Sequence, residues 1–186
     1  MNYIYPIHLH HIFISPGHNY FGRPKEGPGT HATLDVATVD AVTGKGLQGD
    51  RYFGVAAHFN AQVTLIALEV WAALLAEFGL AGLSPSLTRR NIVIAGVPLN
   101  QLIGQEFAIE ANNQRVLLLG AKACSPCAWM DAMIAPGAHK FLRGRGGLRA
   151  RIVQGNQLQA GPAQLHTTIA LDLATISAPL ALPRLP

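Results

Sequence analysis

The apolar runs of this chain are short and almost all bounded by glycine, proline or asparagine, and that punctuation constrains the fold more than any single motif. Ile4–Ile14, Leu34–Val42, Gln62–Ile66, Asn91–Ala95, Glu106–Glu110, Arg115–Gly120, Leu148–Val153 and Gln157–Gln159 read as strands, by alternation or by β-branched and aromatic content. Between them lie turn signals: Ser15-Pro16-Gly17-His18-Asn19, the irregular Arg23–Thr30, Thr43–Gly54 with four glycines, and Gly96-Val97-Pro98. Asn112-Asn113 predicts a tight hairpin, and Gly155-Asn156 predicts another. One segment has a clear helical period. Leu68, Trp71, Leu75 and Phe78 recur at three- and four-residue spacing over Ala67–Phe78, with Gly79 as the C′ residue and Pro85 beyond. Ala128–Leu142 is weakly helical and broken at Pro136-Gly137. Many short strands with few helices predict a mainly β (α+β) domain, a barrel-like or sandwich architecture with a few accessory helices.

With 186 residues, 49% of them hydrophobic, the chain is long enough for one well-filled core. Residues 1–176 read as a single domain and 177–186 as a proline-rich tail expected to fray. Only 13% of residues are charged, which excludes a disordered chain, and the net charge of +4 suits a small anionic ligand. That excess is too thin for a nucleic-acid-binding face. The longest apolar run, Val63–Leu83, is interrupted by Glu69 and Glu77, so no membrane span is expected. His8, His10 and His11 break the only candidate leader segment, and the expected setting is the reducing cytoplasm, with both cysteines as thiols.

Those cysteines, Cys124 and Cys127, stand three apart in A-C-S-P-C-A-W-M-D, where a strand breaks into a loop. As a zinc site the pair supplies two of four ligands, and no second pair has zinc-finger spacing. A thioredoxin-like dithiol wants a βαβ setting, which the flanks lack. Two inert buried thiols are the bland alternative. A thiolate near arginines would have a depressed pKa and is able to bind a soft metal or carry sulfur. Arginines are at hand. Arg149 and Arg151 lie two apart on one predicted strand and so share a face, an arrangement suited to phosphate. Gly144, Gly146 and Gly147 ahead of them would let backbone N–H groups approach an anion. Arg89 and Asn91 share a face at the entry of their strand, with Arg90 opposite. Asp50-Arg51 is read equally as a structural ion pair or a ligand contact, His18 as a solvated turn tip or a ligand contact, and Glu69 as a backbone cap.

Taken together, these residues resemble the MOSC domain, the family named for the C-terminal domain of molybdenum cofactor sulfurase. The resemblance runs from about Ile14 to Gln159 and rests on several motifs in order. They are S-P-G-H-N-Y-F-G at Ser15–Gly22, G-L-Q-G-D-R at Gly46–Arg51, Q-V-T-L-I-x-x-E at Gln62–Glu69, and R-R-N-I-V-I-A-G-V-P-L at Arg89–Leu99. L-I-G-Q-E-F at Leu102–Phe107, C-S-P-C-A-W-M-D at Cys124–Asp131 and G-R-G-G-L-R-A-R at Gly144–Arg151 follow. The chain looks most like the small stand-alone bacterial members.

The resemblance implies a MOSC-type β-barrel, similar to the barrel inserted in pyruvate kinase, and a role in molybdenum cofactor (molybdopterin) chemistry. It implies Cys127 as sulfur carrier or molybdenum ligand, and Arg89, Arg90, Arg149 and Arg151 as holders of the pterin and its phosphate. Asn91, Asp50, Arg51 and His18 complete the candidate cofactor-binding set. By similarity to reductases of the family, the expected reaction is reduction of N-hydroxylated compounds. Delivery of persulfide sulfur by Cys127 and simple anion binding are the alternatives. The sequence holds no aminotransferase-like region for pyridoxal phosphate and no ferredoxin-like segment. Sulfur or electrons are therefore expected from a separate cysteine desulfurase or electron-donor protein. Cys124 is an extra thiol outside the family pattern, which leaves open a disulfide resting state or a persulfide relay. Bonding two cysteines this close strains the loop unless the backbone turns sharply.

Overall fold

The computed structural model describes residues 1–180. In chain order its strands are β1 (Tyr3–Ile14), β2 (Leu34–Asp35), β3 (Thr38–Val42), β4 (Gly46–Leu47), β5 (Val63–Ala67), β6 (Ile92–Ala95), β7 (Glu106–Ala111), β8 (Gln114–Ala123), β9 (Leu148–Gln154), β10 (Asn156–Gln159) and β11 (Gly161–Thr167). Three helices join them: α1 (Leu68–Glu77), α2 (Trp129–Met133) and α3 (Ala138–Phe141). Seven strands run in the order β11-β7-β8-β9-β5-β6-β1, and pairing of β1 with β11 closes them into a barrel. Closure leaves those seven strands no open edge. Every neighbouring pair is antiparallel except β5 and β6, and α1 lies in the crossover that parallel pairing demands.

The barrel is filled by alternating inward residues. Leu9, Leu65, Ile92, Ile94, Phe107, Leu118 and Leu165 are fully buried, each contributing about 1.5–3 kcal/mol of transfer free energy. On α1 the buried stripe is Val70, Trp71 and Leu74, with Leu68, Leu75 and Phe78 packed at its margin, one position round from the predicted stripe. Gly79 follows at φ 61, as a C′ residue should. Asn112 and Asn113 take φ 49 and 61 between β7 and β8, the left-handed pair of a type I′ hairpin turn.

The structure departs from the sequence reading in four places. Leu34–Val42 is two strands: β2 pairs with the end of β1, while β3 pairs with β10 and β4 in a separate three-stranded sheet. Gly155-Asn156 is not a hairpin turn: β5 covers only Leu148–Ala150 on one edge of β9, Ile152 beyond it is bonded to Gln62 Oε1 and to Gly44 N–H, and β10 pairs with β3. β11 was hidden by Gly161-Pro162, which looks like a turn but opens the strand with Pro162 opposite His8. The start of the tail is docked rather than frayed: Leu180 N–H donates to Gly144 O (2.8 Å) and Arg145 Nε to Ser177 O (3.0 Å). The remainder, 181–186, lies outside the described residues. Among the described residues no helix is long and apolar enough to cross a membrane.

Candidate functional site

β8 ends at Ala123, and the next residue is held down by Cys124 N–H donating to Gly147 O (2.7 Å). A side chain at Gly146 would collide with the Cys124 carbonyl, and one at Gly147 with that of Leu65. These two glycines therefore let strands approach closely, their carbonyls accept from Arg90 and Cys124, and neither lines the arginine-rich cavity described below. After Pro126, the Cys127 carbonyl accepts from Met130 N–H (2.9 Å) and leads into α2, anchored by buried Trp129 and Met130. The two thiols are unbonded and unlike: Cys124 is buried and Cys127 exposed.

Arg89 ends the short turn Pro85–Thr88 in a left-handed conformation, φ 62, which costs an L-residue on the order of 1 kcal/mol. Its guanidinium lies over Tyr20 (4.9 Å), and Tyr20 stacks on Trp129 (5.1 Å). Its Nη2 donates to His18 Nε2 (2.7 Å). The left-handed residue also breaks the alternation expected of Arg89, Arg90 and Asn91. The strand starts only at Ile92, and Arg90 turns to the same cavity as its neighbours, donating from Nε to Gly146 O (2.7 Å) and from Nη1 to Thr88 O (3.0 Å).

Asn91 is buried and works as a staple. Its Oδ1 accepts from Thr64 N–H (3.1 Å) and Thr64 Oγ1 (2.8 Å), and its Nδ2 donates to Phe13 O (3.1 Å) and Asp50 Oδ2 (3.2 Å). Asp50, also buried, accepts from the Ser15 and Tyr52 N–H groups and meets Arg51 at 3.5 Å. Arg51 lies over the Tyr52 ring (4.7 Å), and its buried Nε has no partner among the described residues.

His18 is not a solvated tip. Because Arg89 donates to Nε2, the ring proton is assigned to Nδ1, and the ring is neutral. Burial, then the Arg89 and Arg51 charges, hold its pKa below the usual histidine value. Asn19 clamps His31 at both N–H (2.8 Å) and carbonyl (2.7 Å), fixing the loop that carries His18.

These groups surround one cavity of about 250 Å³. Arg51, Arg89, Arg90 and Arg149 face it together with His18, His58, Tyr52, Asn91 and both cysteines; among the described residues no carboxylate lines it. A smaller cavity of about 130 Å³ lies across the wall made by Arg51, Arg89, Arg90 and Asn91. Asp50 sits behind the wall. Arg151 shares the strand face of Arg149 but lies over Phe59 (5.0 Å) and does not line the cavity. Burial and the Arg51 charge pull the Arg89 pKa down, the mark of crowded cations without counter-charge. Such a wall is chemically suited to an anion. His58 and Tyr52 were not anticipated. Their segment carries no periodicity, and their only signal is an isolated His in V-A-A-H-F-N downstream of the G-D-R motif.

Among the described residues, no three His, Cys, Asp or Glu side chains gather as a metal cluster, and the zinc alternative has no third ligand there. Glu69 does cap backbone, accepting from Gly96 N–H (2.8 Å).

A family profile described as the MOSC domain matches residues 37–163, more than half of the sequence. The chain belongs to the MOSC domain family. Solved structures share the MOSC fold seen here. The YuaD protein from Bacillus subtilis superposes with a TM-score of 0.68 at 16% identity, covering 91% of this chain and 100% of that one. YiiM from Geobacillus stearothermophilus does so with a TM-score of 0.62 at 15% identity, covering 92% and 82%. YiiM from Escherichia coli gives 0.56 at 16% identity, covering 95% and 75%. A search of curated proteins finds no match.

Proposed function

We propose that the arginine-lined cavity binds the molybdenum cofactor, with Cys127 as thiolate ligand to the metal, and that the protein reduces N-hydroxylated compounds. One observation carries the reading: an exposed, unbonded thiol and four guanidiniums border a single cavity that no carboxylate lines among the described residues. The donor set fits the group. Molybdopterin carries a phosphate, and Arg51 offers a buried, unpartnered Nε beside a long 3.5 Å contact to Asp50. Membership in the MOSC family supports the same assignment.

When bound, the cofactor supplies two-electron redox chemistry. The chain's own residues do the rest. Arg89, Arg90, Arg149 and Arg51 hold the pterin and its phosphate, Asn91 and Asp50 fix the wall from behind, and His18 keeps Arg89 aimed. Arg151 acts at the rim, where it covers Phe59. Reduction of a hydroxylamine consumes two electrons and two protons and releases water, and the electrons come from a separate electron-donor protein.

A second reading is favoured by the exposure of Cys127. In it Cys127 carries a persulfide to the cofactor or to a metal centre, loaded by a separate cysteine desulfurase that holds the pyridoxal phosphate. Expression in a host that makes the cofactor and in one that does not separates the two. Molybdenum and oxidised-pterin fluorescence are expected only from the competent host. Their absence there would remove the reductase reading. A gain of one sulfur atom on Cys127 would then favour the carrier, and an unmodified thiol would favour simple anion binding.

A further inference from the structure

A reaction that expels oxygen as water needs a proton donor at the cavity, and most polar groups there are disqualified. The guanidiniums hold their protons at any physiological pH. The hydroxyls of Thr64 and Thr88 are committed to Asn91 Oδ1 and Pro85 O (2.8 Å each). His18 has Nε2 engaged by Arg89, and its Nδ1 is buried away from partners. His58 differs. Its backbone is fixed at the kink of the Ala56–Ala61 turn, and its ring packs against Tyr52 with centroids 3.9 Å apart and the planes tilted by 30°. No hydrogen bond claims its ring nitrogens among the described residues, and the residue is half-buried at the cavity.

We propose that His58 is the proton donor of the cavity: it takes up a proton when an anionic ligand settles beside Arg149 and Arg51, and passes it to a ligand oxygen. This rests on the reading of the cavity as an anion site. In the reductase reaction the N–O bond breaks, the two electrons are those drawn from the electron-donor protein, the proton on His58 lets the oxygen leave as water rather than hydroxide, and a second proton, from solvent, completes the amine. Solvent then reprotonates the ring.

The charges around His58 set the direction. Arg149 faces it from β9, Arg151 lies over the adjacent Phe59, Lys122 pairs with Arg149 from β8, and Arg51 and Tyr52 lie on the preceding loop, with His18 beyond Tyr52. Burial first, then Arg149 and Arg51, keep the ring below the usual histidine pKa and therefore neutral near pH 7. An anion cancels the arginine field and reverses that effect, so binding and protonation assist each other.

Sulfate, dianionic throughout the working range, is the probe. With the full chain labelled at histidine, the His58 ring titration is expected to move to higher pH on adding sulfate. Sulfate affinity should rise as pH falls, by up to about tenfold per pH unit between the two midpoints. His58→Gln should bind sulfate with a flat pH dependence, and Arg149→Gln should bind weakly at every pH. In cofactor-loaded protein, His58→Gln should keep its molybdenum and lose roughly 10²-fold or more in kcat toward phenylhydroxylamine. Sulfate binding with an unmoved His58 midpoint, an unchanged pH dependence in His58→Gln, or an unchanged kcat would each overturn the donor role. Failure of the wild type to bind sulfate would instead overturn the anion-site reading beneath it.

Discussion

Replacing Asn91 with Leu tests whether the wall of the cavity is held by hydrogen bonds rather than by packing. The residue is 7% exposed; leucine is the larger side chain, but Asn91 borders both cavities, which take up the extra volume, so the packing change stays below about 1.5 kcal/mol. What is lost is the side chain's four bonds, to Thr64 N–H, Thr64 Oγ1, Phe13 O and Asp50 Oδ2. Three neutral bonds at about 1 kcal/mol and one to a carboxylate at about 2 give a gross loss near 5 kcal/mol. Asn91 lines both cavities, so water can reach the orphaned groups and restore part of this. The net expectation is about 3 kcal/mol, which in a chain of this size lowers Tm by about 6–12 °C. Scanning calorimetry of Asn91→Leu against wild type measures it, with Cys127→Ala as a control because that exposed side chain should shift Tm little. Asp50, having lost the Asn91 donor, should draw Arg51 closer and away from the cavity, so sulfate affinity should fall as well. A Tm within about 2 °C of wild type, with unchanged sulfate affinity, would refute the idea that Asn91 ties β1, β5 and the Asp50 loop together.

Gly147→Ala places a side chain at φ 95 against the Leu65 carbonyl, and urea unfolding should show a loss of about 2–4 kcal/mol. Arg89→Gly relieves a left-handed arginine but loses its contacts with Tyr20 and His18, a net loss of about 1 kcal/mol, so Tm should fall by no more than about 4 °C while sulfate affinity drops at least about tenfold. His10, His18 and His58 all have pKa values below the usual histidine range, burial being the main cause in each. The unfolded chain therefore binds more protons than the folded one just below the ordinary histidine pKa, and thermal stability should fall as pH drops from about 7 toward 5. Added sulfate should blunt that fall, and a Tm that rises on acidification would contradict it.

The repeating strands, the hairpin at Asn112-Asn113, helix α1 and its Gly79 stop were legible because each rests on local backbone chemistry: period, left-handed turn residues, capping. Gly155-Asn156 was misread for the opposite reason. The dipeptide permits a hairpin, but which groups already hold a strand edge is a tertiary property, and near it β9 is bonded at Ile152 to Gln62 and Gly44. Gly146 and Gly147 looked like an anion cradle because glycine allows close approach, yet sequence does not tell whether a ligand or a neighbouring strand approaches. At the site, the arginine motifs marked the wall, whereas Arg90 came round to it only through the positive φ of Arg89. His58 and Tyr52 are brought in by tertiary folding alone, as a pair of rings in contact.

In the proposed function Cys127, and not Cys124, meets an anionic molybdenum cofactor among the arginines. The most direct test of this is the molybdenum and pterin content of wild type, Cys124→Ala and Cys127→Ala, each purified from a host that makes the cofactor. Wild type and Cys124→Ala are expected to carry both, and Cys127→Ala is expected to lose the metal. Molybdenum retained in Cys127→Ala at the wild-type level would contradict it.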